Sequence, residues 1–345
     1  MEQFETEIYL RYKQIIESQK AWSSSCHEGL VPASPFSRAA PQSSRIYSGT
    51  GSPFSCENAQ PRSVTLSKII DRYDAFCFDG YGTLYNRGSF VYPGAMEWFQ
   101  SLRRAGKFVR LVTNAASDVD EVFARDADKR GFDFSTEETI SSGSLLRDLV
   151  EQLRHRGMSL HEVYYIGRET GKHVLDACGI TAVDMDAEPA EPIVAISSAK
   201  DTPETYARAV KILQKPGAIL LVLNSDAWAP KIPDENGVTV REPVSGALSE
   251  RLRRDSACDA NGGGEGCATF YLGKPFPQIW ERVKASLPAG SRVLMIGDTL
   301  GTDVYGAKVA GFDSALVVGR NVPADELEAD EKVLGFKPDY YLLPV

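Results

Sequence analysis

Histidine and cysteine are scarce in this sequence, with four histidines and six cysteines among 345 residues. The histidines share no metal-ligand spacing, and no two cysteines stand in a CxxC pattern. The sequence therefore indicates neither a zinc site nor a disulfide framework. Free thiols in a reducing compartment are the favoured interpretation of the cysteines.

Long apolar runs and dense basic stripes are also missing. The 38 Lys and Arg residues are outnumbered by 47 Asp and Glu residues, for a formal charge of -9, which argues against nucleic acid as a partner. The acidic start, MEQFETEIYL, resembles neither a signal peptide nor an acid-poor transit peptide, and no run is long enough to span a bilayer. We expect a cytoplasmic protein without a membrane partner.

The amino-terminal extension, residues 1–62, differs in composition from the rest. A stretch from Ala21 to Pro61 is rich in Ser, Pro and Gly and is predicted to be a disordered linker. Before it, Phe4 to Ile16 spaces apolar residues roughly as one helical face, which could dock on the body or on a partner, with ordinary core packing favoured. We nevertheless expect the extension to be largely disordered and its removal to change stability and activity little.

From Val64 onward, short apolar runs alternate with stretches of helical periodicity, the pattern of buried parallel strands and crossover helices. This predicts an α/β fold with a doubly wound parallel sheet, whose ligands lie beyond the carboxyl ends of the strands. The predicted strands are Ala75–Phe78, Val109–Thr113, Val163–Ile166, Ile193–Ser197, Ile219–Leu223, Val293–Ile296 and Ala315–Val318. The predicted helices are Ala95–Ala105, Leu145–Arg154 and Pro203–Leu213, and a glycine-rich surface loop is predicted at Asp255–Gly266.

Four short apolar runs of the chain end in residues suited to phosphate or metal chemistry. Asp79 follows a buried strand in AFCFDGYGTL, where it could be a covalent nucleophile or merely cap a turn. Thr113 and Asn114 could bind phosphoryl oxygens or simply terminate their strand. Lys274, in YLGKP, could offset anionic charge or be a solvated surface charge. Asp298 and Asp303, in VLMIGDTLGTD, would suit Mg²⁺ together with Asp79.

Asp79, Thr113, Lys274 and Asp298, in this order, resemble the four signature motifs of the haloacid dehalogenase (HAD) superfamily over about residues 64–345. The resemblance implies a Rossmann-like core, an aspartyl-phosphate intermediate and a Mg²⁺ cofactor held by Asp79, Asp298, Asp303 and the backbone carbonyl of Tyr81. It also implies a hydrolase acting on a small phosphorylated metabolite.

The long interval between Thr113 and Lys274 leaves room for an inserted α/β cap, which resembles the class-II-capped, NagD-like branch. We expect core segments at 63–143 and 269–345, with the cap at 144–268. Within the cap, Asn224 and Asp226 are candidate substrate-binding residues. A homodimer formed through the cap is one assembly open to such a chain.

Position 81 departs from the resembled pattern, because phosphatases of this family normally carry there a second aspartate, which protonates the leaving alcohol. Tyr81 is a poor substitute, since a phenol has a pKa near 10. Three interpretations stay open: a phosphatase, a haloacid dehalogenase, and a non-catalytic homologue that binds a phosphorylated ligand or a partner. A P-loop is excluded, because no Gly-Lys pair is followed by Ser or Thr.

Overall fold

The computed structural model describes residues 2–25, 62–155, 160–235, 239–257 and 267–343. Its helices are α1 (Glu2–Ser25), α2 (Ala95–Arg104), α3 (Asp120–Asp128), α4 (Leu145–His155), α5 (Lys172–Asp176), α6 (Pro203–Leu213), α7 (Ser245–Asp255), α8 (Pro277–Ala285), α9 (Tyr305–Ala310) and α10 (Leu327–Leu334). Its strands are β1 (Arg62–Val64), β2 (Ala75–Phe78), β3 (Phe108–Thr113), β4 (Thr139–Ser141), β5 (Glu162–Ile166), β6 (Thr181–Ala182), β7 (Ile193–Ile196), β8 (Ile219–Val222), β9 (Trp228–Pro230), β10 (Arg241–Pro243), β11 (Ala268–Tyr271), β12 (Val293–Gly297), β13 (Asp313–Leu316) and β14 (Tyr340–Leu342).

Seven strands form the main sheet in the order β1-β14-β13-β12-β2-β3-β4, and every pairing in it is parallel. The central strands are apolar throughout; β2, for example, is fully buried because both its faces are covered by other elements. The predicted α/β class with a parallel sheet is confirmed, and the seven predicted strands are present with small differences at their ends.

A second sheet holds five parallel strands in the order β11-β8-β7-β5-β6, and β9 and β10 form a separate antiparallel pair. We call the part of the chain from β5 to β11 the insertion, and the part that carries the seven-stranded sheet the main-sheet domain. Within the insertion, β11 pairs with β8, Ala268 opposite Ile219. The boundary predicted at residue 269 therefore falls inside a strand of the insertion. The remaining domain limits stay predictions.

Helix α1 contradicts the expectation of a largely disordered extension for residues 2–25. Its buried residues join one apolar cluster with the insertion and with the main-sheet domain: Ile8, Tyr9, Tyr12, Ile15 and Ile16. The Tyr12 hydroxyl donates to the carbonyl of Ser225 at 2.9 Å, and the Lys13 ammonium donates to that of Leu334 at 3.0 Å. The Tyr9 ring lies against Gly301, where any side chain would overlap it.

These contacts also overturn the expectation that the extension is dispensable. An amphipathic helix whose apolar face is covered contributes to the core, so its removal would expose that face. The linker predicted at 21–61 lies outside the described residues from position 26 on, as does most of the predicted loop at 255–266.

The cysteines depart in part from the expectation of free thiols. Cys77 and Cys178 are free thiols, but Cys267 is disulfide-bonded, so the expectation is wrong for that residue.

Among the helices of the described ranges, none combines the length and apolar character needed to cross a bilayer.

Candidate active site

Strands β2, β3 and β12 lie side by side and bring the motif residues to one edge of the main sheet. Phe78 of β2 pairs with Ile296 of β12, so Asp79 and Asp298 follow neighbouring strand ends. Thr113 ends β3 on the other side of β2. Since the strands are parallel, their carboxyl ends open on the same crevice, as the sequence predicted.

Lys274 is the centre of the buried charge cluster, with only 1% of its surface exposed. Its ammonium lies 2.6 Å from Asp79 Oδ1 and 2.7 Å from Asp303 Oδ1, and it donates to the Val112 carbonyl at 2.9 Å. Burial by itself would lower the pKa of Lys274. The carboxylates of Asp303 and Asp79 raise this pKa by more than burial lowers it, so the net shift is upward. The lysine therefore stays charged beside Asp79.

The Asp79 carboxyl group is held away from water at the floor of the crevice. Burial raises its pKa to about 7, Lys274 opposes that rise, and the charges of Asp303 and Asp226 add to it. The net effect shows that one lysine does not compensate for the burial of several neighbouring carboxylates. A further cation at this position would stabilise the ionised form.

Asp303 has both carboxylate oxygens engaged. One pairs with Lys274, and the other accepts hydrogen bonds from the backbone N–H groups of Asp298 at 3.1 Å and Thr299 at 3.0 Å. Asp303 belongs to the π-helical turn Leu300–Val304, which folds back over the end of β12. It thereby fixes both the lysine and the loop that carries Asp298.

Asp298 differs, because one of its oxygens has no protein partner. Its Oδ1 accepts from the Thr299 hydroxyl at 2.9 Å, whereas Oδ2 is buried without a hydrogen-bond donor. Gly82, at φ +101°, lies so close that a Cβ there would overlap this oxygen. A buried carboxylate oxygen without a donor is the ligand a hard cation requires.

No three His, Cys, Asp or Glu side chains of the described ranges converge as a self-sufficient metal site. Mg²⁺ does not require one, because it is usually held by one or two carboxylates and retains several waters. Asp298 Oδ2 suits such a site, and Asp79 and Tyr81, which were predicted to supply the other protein ligands, line the same cavity.

Asn114, a predicted phosphate ligand, is fully buried, and both polar atoms of its side chain have hydrogen-bond partners within the protein. Its Oδ1 accepts from the Lys274 N–H at 2.7 Å; its Nδ2 lies 2.8 Å from Asp226 Oδ1 and 2.9 Å from the Lys274 carbonyl. Asn114 therefore ties Lys274 and the insertion to the main sheet. Thr113 differs, because its Oγ1 accepts from Ala115 N–H at 3.2 Å and its own hydroxyl proton has no acceptor among the contacts described.

The insertion contributes the loop after β8 to this site. Asp226 is half-buried near Lys274, and its removal from water raises its pKa to about 6, with Lys274 and Asn114 opposing the rise. Asn224 Oδ1 accepts from the Asp226 N–H at 2.8 Å, which shapes the loop. Both residues line the crevice with the motif residues.

Tyr81 lines the same space, and its ring packs edge-on against that of Tyr85, with 5.2 Å between the ring centroids. Burial raises the pKa of the phenol, so it is neutral in ordinary buffers. The cavity above Asp79 has a volume of about 540 Å³, which suits a small organic molecule.

Sequence reasoning missed several residues of this cavity. Arg130, Arg168 and Lys200 line its sides, and Asn321 donates to the Thr299 hydroxyl at 2.7 Å. Arg168 follows β5 as Asp79 follows β2, so the rule that ligand-binding residues follow strand ends could have identified it.

Known proteins are similar to this chain in sequence and in fold. Residues 76–181 match a family described as haloacid dehalogenase-like hydrolase, and residues 271–343 match one described as HAD-hydrolase-like; together they span just over half of the chain. A 4-nitrophenylphosphatase of Schizosaccharomyces pombe is 26% identical over 80% of this chain and 93% of its own length.

Two solved structures show the same fold. One, a possible sugar phosphatase from Cytophaga hutchinsonii, has a TM-score of 0.66 at 22% identity and covers 83% of this chain and 98% of its own. The other, a glycerol phosphate phosphatase from Mycobacterium tuberculosis in complex with calcium, has a TM-score of 0.56 at 24% identity, over 75% of this chain and 70% of its own. Together with the motif order and the place of the insertion, these matches show that the chain belongs to the haloacid dehalogenase-like hydrolases, in their NagD-like branch.

Proposed function

We propose that this protein is a Mg²⁺-dependent phosphatase that hydrolyses a small organic phosphate through an aspartyl-phosphate at Asp79. The observation that carries the proposal is the contact between Asp79 and the buried Lys274 at the floor of the cavity. A nucleophilic carboxylate meets an anionic phosphoryl group there, and a fixed positive charge offsets the repulsion.

In this proposal, Asp79 Oδ attacks phosphorus while the Lys274 ammonium and the Thr113 hydroxyl hold phosphoryl oxygens. Asp303 keeps the lysine in place, and Asn114 holds the backbone of Lys274 on both sides, so these two are positioning residues. Asp226 and Asn224 shape the cavity from the insertion. A bound Mg²⁺, held by Asp79, Asp298 and the Tyr81 carbonyl, would neutralise phosphoryl charge.

Asp303 was predicted to be a metal ligand, and that role stays a prediction. One of its oxygens accepts hydrogen bonds from the backbone of the Asp298 loop, and Oδ1 lies 2.7 Å from the Lys274 ammonium but has no hydrogen-bond partner among the described residues. We propose that its contacts with Lys274 and with this loop also support the site. The cytoplasmic location and a homodimer through the cap remain predictions.

Tyr81 favours leaving groups that need no proton, and halide is one of these, which keeps dehalogenation as the second candidate. The orphan oxygen of Asp298 favours the phosphatase, because carbon–halogen chemistry of this type has no use for a cation at that position.

The test is release of inorganic phosphate from 4-nitrophenyl phosphate and acetyl phosphate, with Mg²⁺ and with excess chelator, beside halide release from 2-chloropropionate. We expect Mg²⁺-dependent phosphate release, lowered at least about 10³-fold in Asp79→Asn. Asp71→Asn, at an exposed aspartate outside the cavity, is the matched control. Undiminished phosphate release by a folded Asp79→Asn variant, or chelator-resistant halide release, would overturn the proposal.

A further inference from the structure

The wall of the cavity carries both signs of charge. Besides Lys274, four basic residues line it: Arg87, Arg130, Arg168 and Lys200. They come from different parts of the chain, since Arg130 follows α3, Arg168 follows β5 and Lys200 follows β7. Three acids outside the cluster around Lys274 also line it: Asp118, Asp126 and Glu242. The main-sheet domain and the insertion thus both contribute cations to the wall of the cavity.

Two of these cations have no partner among the described residues. Arg168 and Lys200 are exposed, and neither side chain makes a hydrogen bond or ion pair with another described residue. Arg87 is already paired with Glu242. Arg130 stacks over the Tyr85 ring, with 4.9 Å from the guanidinium carbon to the ring centroid, and its buried Nε has no acceptor. Donors held near a cavity without acceptors are suited to an anionic ligand.

The position of these cations relative to Asp79 matters for the chemistry. In an in-line displacement, the leaving group departs on the side of phosphorus opposite the nucleophile, which here is the upper part of the cavity. Tyr81 lines the same cavity, and the charges of Arg130, Arg168 and Arg87 act on its phenol, opposed by the carboxylate of Asp126. The leaving group therefore departs into a cavity where three cations and one carboxylate act on Tyr81.

Tyr81 limits the leaving group in a second, independent way. An alkoxide needs a proton from a positioned acid, and a phenol whose pKa burial raises above the ordinary value is not such an acid. A phosphate monoester dianion can leave without any proton, because its second pKa is about 6. It also carries the negative charge that the arginines would bind.

We propose, on the basis of the phosphatase function above, that the substrate is an organic diphosphate. Its terminal phosphoryl group lies against the Asp79 carboxylate, next to the Lys274 ammonium, and its inner phosphate is held by Arg130 and Arg168. The cavity volume of about 540 Å³ accommodates a compact organic group beyond the two phosphates.

The reaction balances without an added acid. The Asp79 carboxylate forms a bond to the terminal phosphorus, and the bridging P–O bond breaks with its electron pair on the leaving monophosphate dianion. Water then attacks the phosphorus of the aspartyl-phosphate. The carboxylate leaves, and both protons of the water depart with inorganic phosphate, which is released as its monoanion.

The experiment compares diphosphates with their own monophosphates, with Mg²⁺ present, by release of inorganic phosphate. The probes are ADP and AMP, thiamine diphosphate and thiamine monophosphate, and isopentenyl diphosphate and isopentenyl monophosphate. For at least one pair, we expect kcat/KM to be at least about 10²-fold higher for the diphosphate. This is the factor by which a general acid would accelerate departure of the alkoxide from the monophosphate, and Tyr81 does not supply that acid. No preference for the diphosphate in any pair overturns the inference.

Arg168→Gln tests the cationic wall. It should lower kcat/KM for the preferred diphosphate about 10–100-fold, through loss of a charge-assisted contact, and should lower it for 4-nitrophenyl phosphate by a clearly smaller factor. Arg104→Gln, at an exposed arginine outside the cavity, is the matched control and should change neither. Equal losses on both substrates would overturn the inference but leave the phosphatase standing, whereas no phosphate release from any substrate would overturn both.

Discussion

Replacing Ile16 with alanine tests the docking of α1 with one small change. The Ile16 side chain is completely buried, in the cluster that α1 shares with the insertion and with the main-sheet domain. Truncation of a buried isoleucine removes its transfer free energy and leaves a cavity, at a total cost of about 2–5 kcal/mol. Because the cluster closes around this side chain from several elements, we expect the free energy of unfolding to fall within that range.

The assay is urea denaturation followed by far-UV circular dichroism, in which the midpoint should fall while the slope m is preserved. Gln14→Ala is the matched control, since Gln14 lies on the exposed face of the same helix and its loss should stay within about 0.5 kcal/mol. If both variants unfold at the same urea concentration as the unmodified protein, α1 is not docked in solution and its described contacts contribute nothing to stability.

Three other substitutions test the site. Tyr81→Asp should raise the rate on alkyl phosphates by up to ~10²-fold and change acyl phosphate hydrolysis little, since only an alkoxide needs the added acid; equal gains on both substrates would contradict this. Gly82→Ala should lower Mg²⁺ affinity and phosphate release at least about 10-fold, because φ is +101° and the new Cβ displaces the carboxylate of Asp298; a Mg²⁺ titration unchanged from the unmodified enzyme would refute it. Asp303→Asn should destabilise the fold by about 1–3 kcal/mol, because Lys274 loses one of two buried carboxylate partners; urea midpoints identical to those of the unmodified enzyme would argue against that role.

The strands that position the site could be predicted from the sequence alone. Runs such as Ala75–Phe78 and Val293–Ile296 are buried on both faces, so their composition alone identifies them. The shortest strands, such as Thr181–Ala182 and Arg241–Pro243, were not predicted, because two or three residues carry no periodicity. Their pairing depends on partners distant in sequence.

At the site, residue type predicted which residues meet in one cavity, while their roles stay predictions. Asn114 and Asp303 carry groups that can bind phosphate or metal, and their contacts with Lys274 could not be predicted, because only the fold brings these residues together. The apolar spacing of α1 was visible in the sequence. Its docking surface was not, because that surface is assembled from segments more than 200 residues further along the chain.

Helix α1 also constrains the order in which the chain can acquire its native form during synthesis. It is the first described element to leave the ribosome, yet Gly301 and the Leu334 carbonyl, which it contacts, are among the last. The docking surface of its apolar face is therefore incomplete until the segments around Gly301 and Leu334 have been synthesised. Until then, a chaperone or another nascent chain can bind the uncovered part of that face, so the yield of native protein should depend on how quickly α1 meets these later segments.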